Sequence, residues 1–165
     1  MNLEHDIVHD DEDLQIVTWG AVLVNRWRAT PTKATLQVLG QQQRRLAEST
    51  VDRRILVVTV LSAGVGLLLT AEARKEAEAV ARAGREYLFA LAQVVEGEGF
   101  IAAAARAVMS GVQLAVRAGY PVKVFGRVDE ALPWVSDQLR AKGQVRDADE
   151  VIDVLLPLVD LDRRG

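Results

Sequence analysis

The residues whose types and spacing come nearest to a chemical motif are Gly97-x-Gly99-x-x-Ala102, which satisfy the G-x-G-x-x-G/A pattern of dinucleotide-binding turns. The pattern follows an apolar strand-like run and opens a helix-like one. A helix N-terminus at that point offers free N–H groups and about half a positive charge, which suits a phosphate. Two features argue against a nucleotide. Glu96 and Glu98 place carboxylates where a pyrophosphate would sit, and the segment comes late in the chain rather than at its first strand–helix turn. A tight glycine turn, with acids complementing a helix end, explains the residues with less. As an acid/base pair, Glu96 and Glu98 would need environments that split their pKa values. The chain has no cysteine, and its two histidines, His5 and His9, stand in the acidic start. No thiolate nucleophile or serine–base constellation is in view, so no catalytic residue and no cofactor is expected. His5 and His9 are four apart with Asp6, Asp10 and Asp11 nearby, and Glu96, Glu98 and Asp129 offer a second set of loop acids. Solvated carboxylates account for both groups, and no metal site is expected.

Two further groups carry paired readings. Trp19 and Trp27, on neighbouring strands, offer a stacking platform for a ligand, but packing residues of a hairpin is the favoured reading. Residues 62–69, SAGVGLLL, form an unusually apolar connection. Gly64 and Gly66 begin a fingerprint that fails at Leu69. Leu67, Leu68 and Leu69 either tuck beneath the next helix before an N-cap at Thr70, or form a contact patch for a partner or a lipid.

The elements that must position these residues follow from hydrophobic periodicity. Residues 14–19 and 21–28 read as an antiparallel hairpin hinged at Gly20. Thr30-Pro31 opens a first helix to about Glu48, with Gln41, Gln42, Gln43, Arg44 and Arg45 on its solvated side. Residues 55–61 and 87–95 are near-continuous apolar runs, as expected of parallel strands covered on both faces. Between them lies a charged, alanine-backed helix over residues 71–82. A long helix over 100–118 shows only a narrow polar stripe, Arg106, Ser110, Gln113 and Arg117, so most of its circumference is expected to be covered. Residues 122–125 form a short strand, and Asp129 caps a helix to about Lys142. The pattern predicts an α/β domain with one mixed five-stranded sheet over residues 14–142. Residues 1–13, with six acids, read as a disordered tail, and residues 143–165 as a C-terminal helix and tail. That last helix, or a second protomer, is expected on the less covered face of the sheet.

Composition sets the outer limits. A formal charge of −3 argues against a nucleic-acid surface. No apolar run approaches the ~20 residues of a membrane-spanning helix, and no basic leader precedes the acidic start, so a cytoplasmic setting is expected.

A hairpin followed by alternating helices and strands, with a glycine loop leading into a helix after the fourth strand, resembles the STAS domain of anti-anti-sigma factors and SpoIIAA-like proteins. The resemblance spans roughly residues 14–142 and rests on element order. In that family the loop carries Asp-Ser-Ser/Thr-Gly, and a partner kinase phosphorylates the serine. Here the loop is Glu96-Gly97-Glu98-Gly99, with no Ser or Thr, so the serine switch does not transfer; an acidic Glu98 in its place would mimic the phosphorylated state. The resemblance implies a non-enzymatic regulatory or scaffolding module that binds a protein, including a second copy of itself as a homodimer. The expected contact residues are Glu96, Gly97, Glu98, Gly99, Leu67, Leu68 and Leu69. The alternatives are a carrier of a lipid or other apolar ligand and a nucleotide-binding enzyme using the Gly97–Gly99 turn.

Overall fold

A computed structural model describes residues 5–143, 151, 153 and 155–157. Its elements are β1 (Asp6–Asp10), β2 (Leu14–Trp19), β3 (Val22–Trp27), α1 (Lys33–Ser49), β4 (Ile55–Leu61), α2 (Ala71–Gly84), β5 (Leu88–Val95), α3 (Phe100–Val116), β6 (Val122–Phe125) and α4 (Val128–Ala141). The strands form one mixed sheet in the order β1-β2-β3-β4-β5-β6. β1, β2 and β3 pair antiparallel; β3 to β6 pair parallel. The fold is therefore α/β, as the alternation predicts, with six strands instead of five.

The additional strand is β1, in the stretch expected to be a disordered tail. Its aspartates are used. Asp11 Oδ1 accepts from the backbone N–H of Asp13 and of Leu14, both at 2.8 Å, and so closes the β1–β2 turn. Asp10 pairs with Arg28 at 2.7 Å. The expected self-repulsion is relieved by a cation 18 residues away and by backbone donors.

β4 and β5 are buried at every position, which is why they lack the alternation of half-exposed strands. Their side chains divide between two cores. On one face Leu23, Ile55, Val57 and Leu91 meet α1, α2 and α3. On the other, Val24, Leu56, Val58, Ala90 and Ala92 meet Leu132, Val135 and Leu139 of α4. A register shift between Ile55 and Leu56 places both Phe89 and Ala90 on the α4 side. Val151 and Leu155, fully buried, join that second core. The described part of the C-terminal segment, within 151–157, is helical and docks on its own domain; the rest of the expected segment, residues 144–150, 152, 154 and 158–165, lies outside the described residues.

Three local expectations are corrected. The N-cap of α1 is Thr32, in a reciprocal capping box with Thr35, and not Thr30, whose hydroxyl donates to the Gly66 carbonyl at 2.9 Å. Gln43, placed by sequence on a solvated side, is buried and accepts from the Tyr87 hydroxyl at 3.1 Å. Asp129 does not cap α4: it binds Arg127 at 2.9 Å, and Arg127 itself occupies the cap position.

Candidate interaction surface and the loops beside it

α3 is the element on which the structure departs most from expectation. Its inward side chains, Ala102, Ala105, Met109 and Val116, are buried, but the circumference is not otherwise covered. Phe100 is 89% exposed, Leu114 81% and Ile101 53%. Between them Ala103, Ala104, Ala107, Val108 and Gly111 also face outward, and Ser110 is the one polar exposed side chain on the helix. A surface helix normally turns charged residues to water; this one turns an uncharged apolar face. Beside the C-terminal half of α3, a groove of about 630 Å³ runs along the sheet edge, floored by Val122 and Val124 of β6.

The glycine loop lies at the start of this helix, and the structure divides its residues between two tasks. Glu96 points inward, with its side chain 15% exposed, and binds Arg26 at 2.6 Å. The same guanidinium nitrogen of Arg26 donates to Ser62 Oγ at 3.1 Å. Glu96 therefore joins the ends of β3, β4 and β5 and is not a surface contact residue. Gly97, Glu98 and Gly99 are exposed. Gly99, the N-cap residue, has φ 88° and ψ −162°, a backbone region essentially closed to other residues. Arg106, one turn and a half into α3, reaches back: its Nη2 donates to the carbonyl of Val95 at 3.2 Å and to that of Gly97 at 3.4 Å. A Cβ on Gly126 would stand 3.1 Å from that nitrogen, so the glycine after β6 makes room for the guanidinium. Arg106 ties α3 back to the end of β5 and its following turn and is no part of a solvated stripe.

The leucine connection divides between an inward and an outward side. Leu67 and Leu69 pack against the helix-side core, and the Thr70 hydroxyl caps α2 by accepting from the Ala73 N–H at 3.1 Å. Leu68 is 93% exposed. Gly64 and Val65 share a crevice of about 330 Å³ with the 96–98 turn and with Phe100, Ile101 and Ala102. Of the residues expected at a contact surface, the structure leaves Gly97, Glu98, Gly99 and Leu68 outward and takes Glu96, Leu67 and Leu69 inward. Sequence reasoning missed Phe100, Ile101, Val108 and Leu114 as surface residues. Their signal was present, because an apolar helix at the rim of a small sheet has too few neighbours to cover it.

Trp19 and Trp27 are 6% and 3% exposed and belong to opposite cores, so they make no joint platform. Among the described residues no three His, Cys, Asp or Glu side chains come together as metal ligands, and no helix is long and apolar enough to cross a membrane.

A second feature escaped the sequence reading altogether. Asn25, Thr59 and Gln93 stand in register on β3, β4 and β5, forming a buried polar row beneath the helices. Asn25 Nδ2 donates to Thr59 Oγ1 at 3.1 Å. Asn25 Oδ1 and Gln93 Oε1 are buried without a partner. One polar residue at a matched offset in each of three apolar strands was the available signal.

Comparison with known proteins adds no likeness to this geometry: no protein-family model, no curated protein and no solved structure matches the chain.

Proposed function

We propose that this chain is a non-catalytic regulatory or scaffolding module that works by protein–protein contact, and that it self-associates as a homodimer through the outer face of α3. The observation that carries this reading is the uncharged apolar face running from Phe100 to Leu114. Burying a large apolar side chain contributes about 1.5–3 kcal/mol. A twofold contact buries each such residue twice, so Phe100 and Leu114 alone would contribute roughly 6–12 kcal/mol of gross stabilisation. That is comparable with the ~4–15 kcal/mol cost of association, so the smaller residues between them decide the net affinity. A face without charge meets no like-charge repulsion when it pairs with its own copy, and Ala103, Ala107 and Gly111 let two backbones approach closely. The exposed Leu68 and the Glu98 turn lie at the same end as Phe100 and would border the contact. The element order from β2 onward is that of the STAS resemblance, which supports a binding role over a catalytic one.

The test is sedimentation equilibrium over a dilution series, for the wild type and for Phe100→Asp and Leu114→Asp. Both substituted side chains are exposed in the single chain, so the variants should keep the wild-type circular dichroism. The expected result is a wild-type dimer at micromolar concentration and monomeric variants. A wild type that stays monomeric into the high-micromolar range, or a dimer indifferent to both substitutions, refutes the proposal.

A further inference from the structure

Between the sheet and α1, α2 and α3 lies a cavity of about 120 Å³. Its origin is legible in the packing: α2 turns Ala77 and Ala81 toward the sheet, and methyl groups cannot fill the space that larger side chains would occupy. Its walls are mostly apolar, with Leu36, Leu39, Leu91, Val108 and Met109 among them. Its polar side is different in kind. Gln93, only 7% exposed, lines the cavity with its Oε1 unpartnered, and Gln113 Oε1 and the Tyr120 hydroxyl line it in the same state. Buried polar atoms left unsatisfied are destabilising, and native interiors keep few of them without something to satisfy them. Burial raises the Tyr120 pKa to about 12, so the phenol stays neutral, and no Asp, Glu, Lys, Arg or His lines the cavity.

We propose that this cavity is a binding site for a small neutral molecule of single-ring size that carries one hydrogen-bond donor, such as a hydroxyl or ring N–H. Size sets the upper limit: an apolar cavity of roughly 150 Å³ takes up benzene. Chemistry selects within that limit. Gln93 is buried whereas Gln113 is only half-buried, so Gln93 Oε1 is the acceptor that awaits the donor; the apolar walls accept a ring, and the absence of a lining charge disfavours an ion. The site lies on the inward side of α3, and Val108, at the boundary between the two sides, is the wall residue that also reaches the proposed contact face.

Phenol and toluene are the probes, being nearly equal in size and different in one donor. Binding is read from methyl resonances of Met109 and Leu91 and from titration calorimetry on the full chain. The expected result is saturable binding of phenol at least tenfold tighter than that of toluene. Gln93→Leu should remove that preference while toluene still binds, and Ala77→Leu, which fills the cavity, should abolish binding of both. A cavity holding water only, seen as no perturbation of the lining methyls by phenol at millimolar concentration, overturns the proposal. So do equal affinities for the two probes in the wild type, or a phenol preference that survives Gln93→Leu. These readouts need only the wild type and the Gln93 variant and decide the matter even if Ala77→Leu does not fold.

Discussion

Removing Glu96 should destabilise the domain more than removing any exposed charge. The carboxylate lies 2.6 Å from an Arg26 guanidinium whose side chain is 5% exposed. Deleting one member of a buried pair typically costs about 3–5 kcal/mol, because the remaining charge is left in a poorly solvated place. Two features move Glu96→Ala toward the lower end. Arg26 keeps its bond to Ser62 Oγ at 3.1 Å, and Glu96, at 15% exposure, marks a spot that water can enter. We expect about 3 kcal/mol for Glu96→Ala, about 1–2 for Glu96→Gln, which retains an acceptor, and a double variant Arg26→Met/Glu96→Leu within about 1 kcal/mol of wild type. Urea denaturation of wild type, Arg26→Met, Glu96→Leu and their double variant closes a double-mutant cycle, with Glu96→Ala and Glu96→Gln measured beside it. The reasoning fails if Glu96→Ala costs less than about 1 kcal/mol, or if the double variant is as unstable as the sum of its parts.

Three other perturbations have definite outcomes. Gly99→Ala forces a Cβ into backbone angles of φ 88° and ψ −162° and should cost about 1–3 kcal/mol, read as a lowered urea midpoint. Tyr87→Phe removes the donor to buried Gln43 Oε1 and should cost about 1–2 kcal/mol, whereas Tyr120→Phe, which deletes a hydroxyl without a partner, should be neutral or stabilising in the unliganded chain; thermal unfolding separates the two. Asp10, by its hydrogen bond to Arg28, and Asp11, by those from the Leu14 and Asp13 N–H groups, have pKa values lowered from 3.8. A lowered folded-state pKa stabilises above the unfolded value and loses that effect as pH falls through the folded one. The stability gap between wild type and Asp10→Asn/Asp11→Asn should therefore be constant above about pH 5 and close below 3.8, followed by urea titration at successive pH values.

The sheet was legible because β4 and β5 announce themselves: seven and eight consecutive buried positions admit few other readings. The antiparallel entry was legible because the short connection at Gly20 leaves two adjacent strands no other way to pair. What escaped depended on partners remote in the chain. Asp10 reads as tail until Arg28 is beside it, and Glu96 reads as a loop acid until Arg26, 70 residues earlier, folds under it. Gln43 belonged to a run of polar residues, and only Tyr87, 44 positions on, marks it as interior. α3 failed in the opposite sense. Periodicity reports how much of a helix is apolar, but not whether enough neighbours exist to cover it.

The sheet order has a consequence for where a ligand can lodge. In doubly wound sheets a cleft opens at the carboxyl ends where strand order reverses, because consecutive crossovers there leave toward opposite sides. Here every strand lies beside its predecessor, and α1, α2 and α3 all cover one face. No reversal occurs, so the backbone does not part at the strand tips. The room beneath the helices comes instead from Ala77 and Ala81 on one helix, a space set by side-chain volume that a handful of substitutions can enlarge, reshape or close.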